Sequence, residues 1–240
     1  CDLDTVKSLF IPEGNKLFFY LNSLEADMVV MTTPGLDVFQ IKRSKGVKHY
    51  CHITHSAGGC SDYRVYGLDY FDSVLTGGDG DIREIREIES KRLISHKECV
   101  PIGCTYLDVL RSRVRGERKV LFRNSNKVIL LAPTWGTHGL LSKHGDVLLK
   151  ELYAQSDYNV IVRPHPQSYK TESVLIDGLK NRYAASHIIW DSSDDNYDAM
   201  MNADIMLSDF SGIIFDFLFL FEKPFLTFPA KLDHRARDSM

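Results

Sequence analysis

The segment that most constrains the fold is residues 203–228, A-D-I-M-L-S-D-F-S-G-I-I-F-D-F-L-F-L-F-E-K-P-F-L-T-F. Residues 205–207 read as a short apolar strand, Ser208-Asp209-Phe210-Ser211-Gly212 as a small polar turn, and residues 213–221 restart at once as a helix. Ser211 reads as the N-cap, so the first free amides and the positive end of the helix dipole face whatever sits above the loop. An anion belongs there. An ordinary capped helix in an α/β domain would leave the same trace, so the rest of the chain has to decide.

Strand and helix signals alternate along the chain, which favours parallel sheets. Residues 26–32, 47–54, 72–75 and 99–102 read as strands, residues 81–95 carry helical spacing, and residues 17–24 are apolar without a clear type. After a basic stretch the pattern resumes, with strands at 127–132, 158–162, 188–190 and 225–228 and helices at 143–155, 169–183 and 197–203. The division this suggests is an N-terminal domain at 1–114, a linker at 115–126 and a C-terminal domain at 127–240. In open parallel sheets ligands sit beyond the carboxyl ends of the strands. Five loops in that position carry polar or glycine-rich sequence: His55-Ser56-Ala57-Gly58-Gly59, Thr134-Trp135-Gly136, Arg163-Pro164-His165-Pro166, Asp191-Ser192-Ser193, and the turn from Ser208 to Gly212.

Composition narrows the classes. A net charge of −3 gives no global case for nucleic acid, and residues 111–123, with six Arg or Lys against one Glu, read as a solvated linker or, less directly, as a contact with anionic lipid. Five scattered cysteines without C-x-x-C spacing suit reduced thiols in a cytoplasm. The apolar runs are too short, or too interrupted by Asp216, Glu222, Lys223 and Pro224, to span a bilayer. The opening Cys1 and the polar close at 231–240 suggest a piece of a longer chain, cut at both ends.

Within the loops, the two prolines around His165 fix φ and stop the strand, so Arg163 and His165 form a phosphate-recognition pair: a permanent fork of donors beside a group that donates a hydrogen bond or a proton near neutral pH. A structural His capping a turn is the alternative. His49, His52 and His55 lie three apart, but on a strand the middle one takes the opposite face, so no metal site is expected. His55, at a strand end before a glycine pair, suits a general base on an approaching hydroxyl, or else is a half-buried strand-end His. Asp216 falls just over one turn into an apolar helix, where it can reach ribose hydroxyls or simply complement the helix dipole. Asp191, Asp194, Asp195 and Asp198 read as a solvated loop and helix start rather than a metal cluster. No P-loop and no dinucleotide fingerprint occurs.

Taken together, Ala132-Pro133-Thr134-Trp135, Arg163-Pro164-His165-Pro166, the run from Ser208 to Asp216 and Glu222-Lys223-Pro224 resemble the CDP-glycerol glycerophosphotransferase family of teichoic-acid polymerases and primases. His55-Ser56 resembles, more loosely, the histidine-glycine motif of that family's acceptor-side domain, and Gly136 stands where many members have Arg. The resemblance implies a GT-B fold: two Rossmann-like α/β domains whose parallel sheets face a cleft, the first on the acceptor side and the second binding the nucleotide donor. It implies that an acceptor hydroxyl attacks the β-phosphate of CDP-glycerol, or of CDP-ribitol, and that CMP leaves. His55 and His165 would then be catalytic. Arg163, His165, Ser208, Asp209, Ser211 and Gly212 would hold the donor's pyrophosphate, with Thr134 also among the donor-binding residues; extending the motif beyond the resemblance itself, Asp216 is expected toward the ribose. No metal and no cofactor is expected. Acceptors would be lipid-linked or glycan, and the place of action the cytoplasm, with peripheral contact at the inner membrane face. Two other functions fit the same residues: a nucleotide-sugar glycosyltransferase or UDP-N-acetylglucosamine 2-epimerase-like enzyme, and a non-catalytic nucleotide-binding module.

Overall fold

A computed structural model describes residues 5–54, 57–60, 63–113 and 119–229. The chain divides into two compact units at Cys104 and Thr105, earlier than the boundary at 114 that the basic linker suggests. The physical reason is a helix the sequence pattern hides, Thr105–Arg113, whose packing partner is the helix Ile213–Phe221 at the other end of the chain.

The first unit is built on four parallel strands paired in chain order: β1 (Glu25–Met31), β2 (Gly46–Ile53), β3 (Ser73–Thr76) and β4 (Glu98–Pro101). Helix α1 (Asn15–Asn22) precedes β1, so the apolar residues 17–24 are largely helical, and α2 (Asp79–Arg92) joins β3 to β4. Helix α2 opens with Asp79 and Asp81 and closes with Lys91 and Arg92, an order that complements its dipole, and it buries Ile85 on a core of Tyr50, Leu68, Phe71 and Val74. Strand alternation puts His49 and His52 on opposite faces. His49 Nε2 meets Ser73 Oγ at 2.7 Å, and His52 Nε2 meets Tyr63 Oη at 3.1 Å. His55 and Ser56 lie outside the described residues.

The second unit begins with α3 (Thr105–Arg113) and continues through β5 (Lys127–Leu131), α4 (Leu140–Ala154), β6 (Tyr158–Val162), α5 (Pro166–Thr171), α6 (Ser173–Arg182), β7 (Ile188–Trp190), α7 (Tyr197–Asn202), β8 (Ile205–Ser208), α8 (Ile213–Phe221) and β9 (Phe225–Thr227). All five strands are parallel, in the order β7-β6-β5-β8-β9. The chain steps outward from β5 to β7 and then returns to the other side of β5 with β8. The point between β5 and β8 is the topological switch, where open α/β sheets leave a crevice beyond the strand ends.

Both faces of this sheet are covered, which is why its strands read as unbroken apolar runs. Leu131, Val160, Val162 and Leu207 face one core with Leu141 and Leu149 of α4 and Ile176 and Leu179 of α6. Val128, Leu130, Ile161 and Met206 face the other, with Met200 of α7 and Ile214 and Phe217 of α8. The helix expected over 169–183 is two helices. Glu172 breaks it with φ −131° and turns its carboxylate back to the β5–α4 loop, accepting the Gly136 N–H at 3.0 Å and the Ser142 hydroxyl. Among the described residues no helix is long and apolar enough to cross a membrane.

Candidate functional site

Four loops leave the carboxyl edge of the second sheet, after β5, β6, β7 and β8, and adjacent loops are tied together by side chains that the sequence offers as ligand contacts. Asp209, after β8, is buried at 3% exposure and accepts the backbone N–H of Thr134 and of Leu140, each at 2.7 Å. It therefore caps α4 from a neighbouring loop; the helix's own N-cap residue is Gly139, which has no side chain to do so. Glycine is required at 139, because a Cβ there would lie 2.7 Å from the Thr134 carbonyl oxygen. Ser208, fully buried, donates its hydroxyl to the Ala132 carbonyl at 2.7 Å.

Arg163 follows the same pattern. Its guanidinium is buried at 8% exposure and donates to the Asp191 carboxylate, to Ser193 Oγ at 3.1 Å and to the Ser193 carbonyl at 3.0 Å. The β6 and β7 loops are thereby fixed to each other, and Asp191, whose carboxyl pKa would be raised by burial but is held below its ordinary value by the Ser193 hydrogen bonds and Arg163 together, is an ion-pair partner rather than part of a solvated loop. The side chains of Arg163, Ser208 and Asp209, expected at the pyrophosphate, thus each hold one loop to another.

His165 stands differently. It is the N-cap of α5, with Pro166 at the first helical position, and its Nδ1 accepts the Gln167 N–H at 3.1 Å. That bond places the imidazole proton on Nε2. The residue is exposed at its surface, yet surrounding atoms desolvate the ring and lower its pKa, so the neutral Nε2–H donor is the form present near neutrality. Trp135 of the β5 loop lies over it, ring centroids 6.2 Å apart. Thr134, half-buried, follows β5 beside them.

The turn after β8 then delivers α8. Its N-cap is Gly212, not Ser211, and no side chain caps it. Gly212 has ordinary helical dihedrals, φ −59° and ψ −21°, and a Cβ added there would meet nothing within 4 Å. Gly212 therefore faces open space at the start of α8, with Ser211 half-buried beside it. Asp216 is on the first turn but is buried at 8% exposure, beside Phe217 in the sequence of the apolar helix. Burial pushes its carboxyl up to about 6, opposed by a hydrogen bond from Asn196 Nδ2 at 3.4 Å. Lys223, from the Glu222-Lys223-Pro224 motif, donates to the carbonyls of Met201 at 2.9 Å and Ala203 at 2.6 Å, closing the end of α7.

Sequence inspection passes over Asn196 and Glu172. An Asn before a helix reads as a cap, and a Glu inside a helical pattern reads as surface, so neither carries a signal of its contacts with distant segments. Chemically, the edge offers an uncapped helix N-terminus and a neutral imidazole donor, both suited to an anion, while Asp216 on the same helix is suited to accepting a hydroxyl hydrogen bond.

The sequence profile described as CDP-glycerol:poly(glycerophosphate) glycerophosphotransferase matches residues 84–237. Among solved structures, a wall teichoic acid polymerase TagF soaked with CDPG is 18% identical with a TM-score of 0.48, over 85% of this chain and 53% of that one. A UDP-GlcNAc 2-epimerase from Neisseria meningitidis bound to UDP-GlcNAc is 16% identical with a TM-score of 0.50, over 75% of this chain and 52% of that one. The chain thus spans about half the length of these structures, and the second likeness speaks for the α/β fold with parallel sheets alone. No curated protein matches by sequence.

Proposed function

This chain belongs to the CDP-glycerol:poly(glycerophosphate) glycerophosphotransferase family, and from that premise we propose that it moves glycerol phosphate from CDP-glycerol to an acceptor hydroxyl in the synthesis of a teichoic-acid-like polymer. The observation that carries the proposal is the family match itself, because residues 84–237 take in all four loops at the carboxyl edge of the second sheet.

In this reading the second unit binds the donor. The pyrophosphate rests on the opening turn of α8, at Ser211 and Gly212, where amides and dipole favour negative charge. The Nε2–H of His165 donates to a phosphate oxygen, and Thr134 lines the same edge. Arg163, Ser208 and Asp209 keep those loops in place rather than touching the donor. Asp216 faces the ribose hydroxyls. As the acceptor oxygen bonds to the β-phosphorus, the bond to the bridging oxygen breaks and CMP leaves with the electron pair. Charge spreads over the phosphoryl oxygens during that exchange, and fixed amide and imidazole donors stabilise it without covalent work by the protein. His55 takes the acceptor's proton as general base; its place in the sequence motif supports the role. We assign no metal ion to the reaction. CDP-ribitol is the second donor candidate, a lipid-linked or glycan acceptor the expected partner, and the cytoplasmic membrane face the expected place of action.

The test is CMP release from radiolabelled CDP-glycerol and CDP-ribitol, with and without a lipid-linked acceptor. Acceptor-dependent CMP release, abolished in His165→Ala and in His55→Ala with CDP-glycerol binding retained in the latter, is the expected result. UDP release or epimerisation from UDP-sugars in its place would overturn the proposal, as would nucleotide binding with no turnover.

A further inference from the structure

Asn196 is the N-cap of α7, with φ −95° and ψ −2°, yet its side chain does not cap that helix. Asp195 Oδ1 accepts the Tyr197 N–H at 3.1 Å instead. The Asn196 amide is thereby released from the usual duty of an Asn at this position. It points elsewhere: Nδ2 donates to Asp216 Oδ2 at 3.4 Å, and Oδ1 accepts the Tyr106 hydroxyl at 3.5 Å. Both ends of the amide are used, and the ionised carboxylate, which only accepts, takes the Nδ2 end and leaves Oδ1 for the hydroxyl. At these lengths the chain sets a direction more than it neutralises charge. Asp216 makes no ion pair with Lys or Arg among the described residues, so a carboxylate that is costly to bury is held by a neutral amide alone. Tyr106 comes from α3, the helix packed on α8.

We propose that Asn196, itself oriented by Tyr106, is a positioning residue that aims the Asp216 carboxylate at the vicinal hydroxyls of the donor's ribose. The inference rests on the reading that Asp216 meets the ribose. A buried carboxylate anchored by a cation would be satisfied within the protein. One steered by an amide through a single oxygen keeps its other oxygen for a ligand's hydroxyl pair.

Calorimetric titration of the 240-residue chain with CDP and with 2′,3′-dideoxy-CDP separates the two claims. Wild type should bind CDP at least tenfold more tightly than the dideoxy analogue, and Asp216→Asn should reduce that preference to below threefold. Asn196→Leu should reduce it likewise while dideoxy-CDP binding stays within twofold of wild type; a merely structural role would weaken both ligands together. Tyr106→Phe, which removes one exposed hydroxyl, should lower the preference by a smaller factor and serves should Asn196→Leu not fold. If wild type shows no preference, or Asp216→Asn keeps it, the ribose reading falls and takes this inference with it. If Asp216→Asn loses the preference while Asn196→Leu and Tyr106→Phe keep it, the ribose reading stands and the inference is overturned.

Discussion

Asp209 Oδ2 accepts the Leu140 N–H at 2.7 Å, so a residue beyond the end of β8 caps a helix that begins 69 positions earlier. Its other oxygen takes the Thr134 N–H. One carboxylate thus ties the loop after β8 to the loop after β5 and to the start of α4.

Asp209→Ala leaves one buried and one part-buried backbone donor without an acceptor, at about 1–3 kcal/mol each, so a loss of roughly 2–6 kcal/mol in urea unfolding is expected. Asp209→Asn retains one acceptor oxygen and should lose about half as much. A variant as stable as wild type that nevertheless loses CDP binding would show direct ligand contact instead.

Arg163→Lys keeps the charge but not the fork that reaches Asp191 and Ser193 together. Breaking a buried pair of this kind costs on the order of 3–5 kcal/mol, and Lys should recover only part of it relative to Arg163→Ala. Thermal melts of the two variants check the order. Unchanged stability with weakened CDP binding would return Arg163 to the donor.

Gly212→Ala tests the reverse case. The helical dihedrals suit Ala and the Cβ enters open space, so stability should hold or rise by a few tenths of a kcal/mol. That same methyl would stand over the helix terminus where the pyrophosphate is proposed, and CDP binding should weaken at least tenfold by calorimetry. Unaltered affinity would move the anion elsewhere.

For Asp216 the sign follows from burial. Its carboxyl is raised to about 6 in the folded chain, above the ordinary 3.8, so between those values the folded state holds more protons than the unfolded one and stability falls as pH rises through the window. Above it the charged, buried carboxylate costs on the order of 1–3 kcal/mol. Asp216→Asn should therefore be more stable than wild type at pH 7.5, with the difference shrinking as pH drops toward 4. CDP binding by wild type should weaken as pH falls through about 6, where the carboxylate protonates. Equal stability of variant and wild type across that range would contradict the burial argument.

Every strand read from the sequence is present to within a residue or two, because alternation and β-branched runs are local signals that both sheets use. Helix α3 was hidden because Tyr106, Leu107, Val109 and Leu110 form only a short run between the strand at 99–102 and the basic stretch that begins at Arg111, and their helix packs on α8 near the other end of the sequence. The break at Glu172 was hidden for the same kind of reason, its bonds being to Gly136 and Ser142.

By itself the sequence determined the parallel α/β architecture, the edge at which chemistry-bearing loops gather, and the residue types they carry, since periodicity and turn chemistry act over a few residues. Which of those polar residues face outward was decided only by the tertiary structure. Arg163, Ser208 and Asp209 have the functional groups of ligands, but each meets a partner more than 25 positions away that uses them first. Gly212 and His165 are exposed, and a Cβ at Gly212 would meet nothing within 4 Å. A hydrogen-bonding group is available to a ligand only after the fold has taken its own share, and that share depends on contacts between distant segments that no local pattern records.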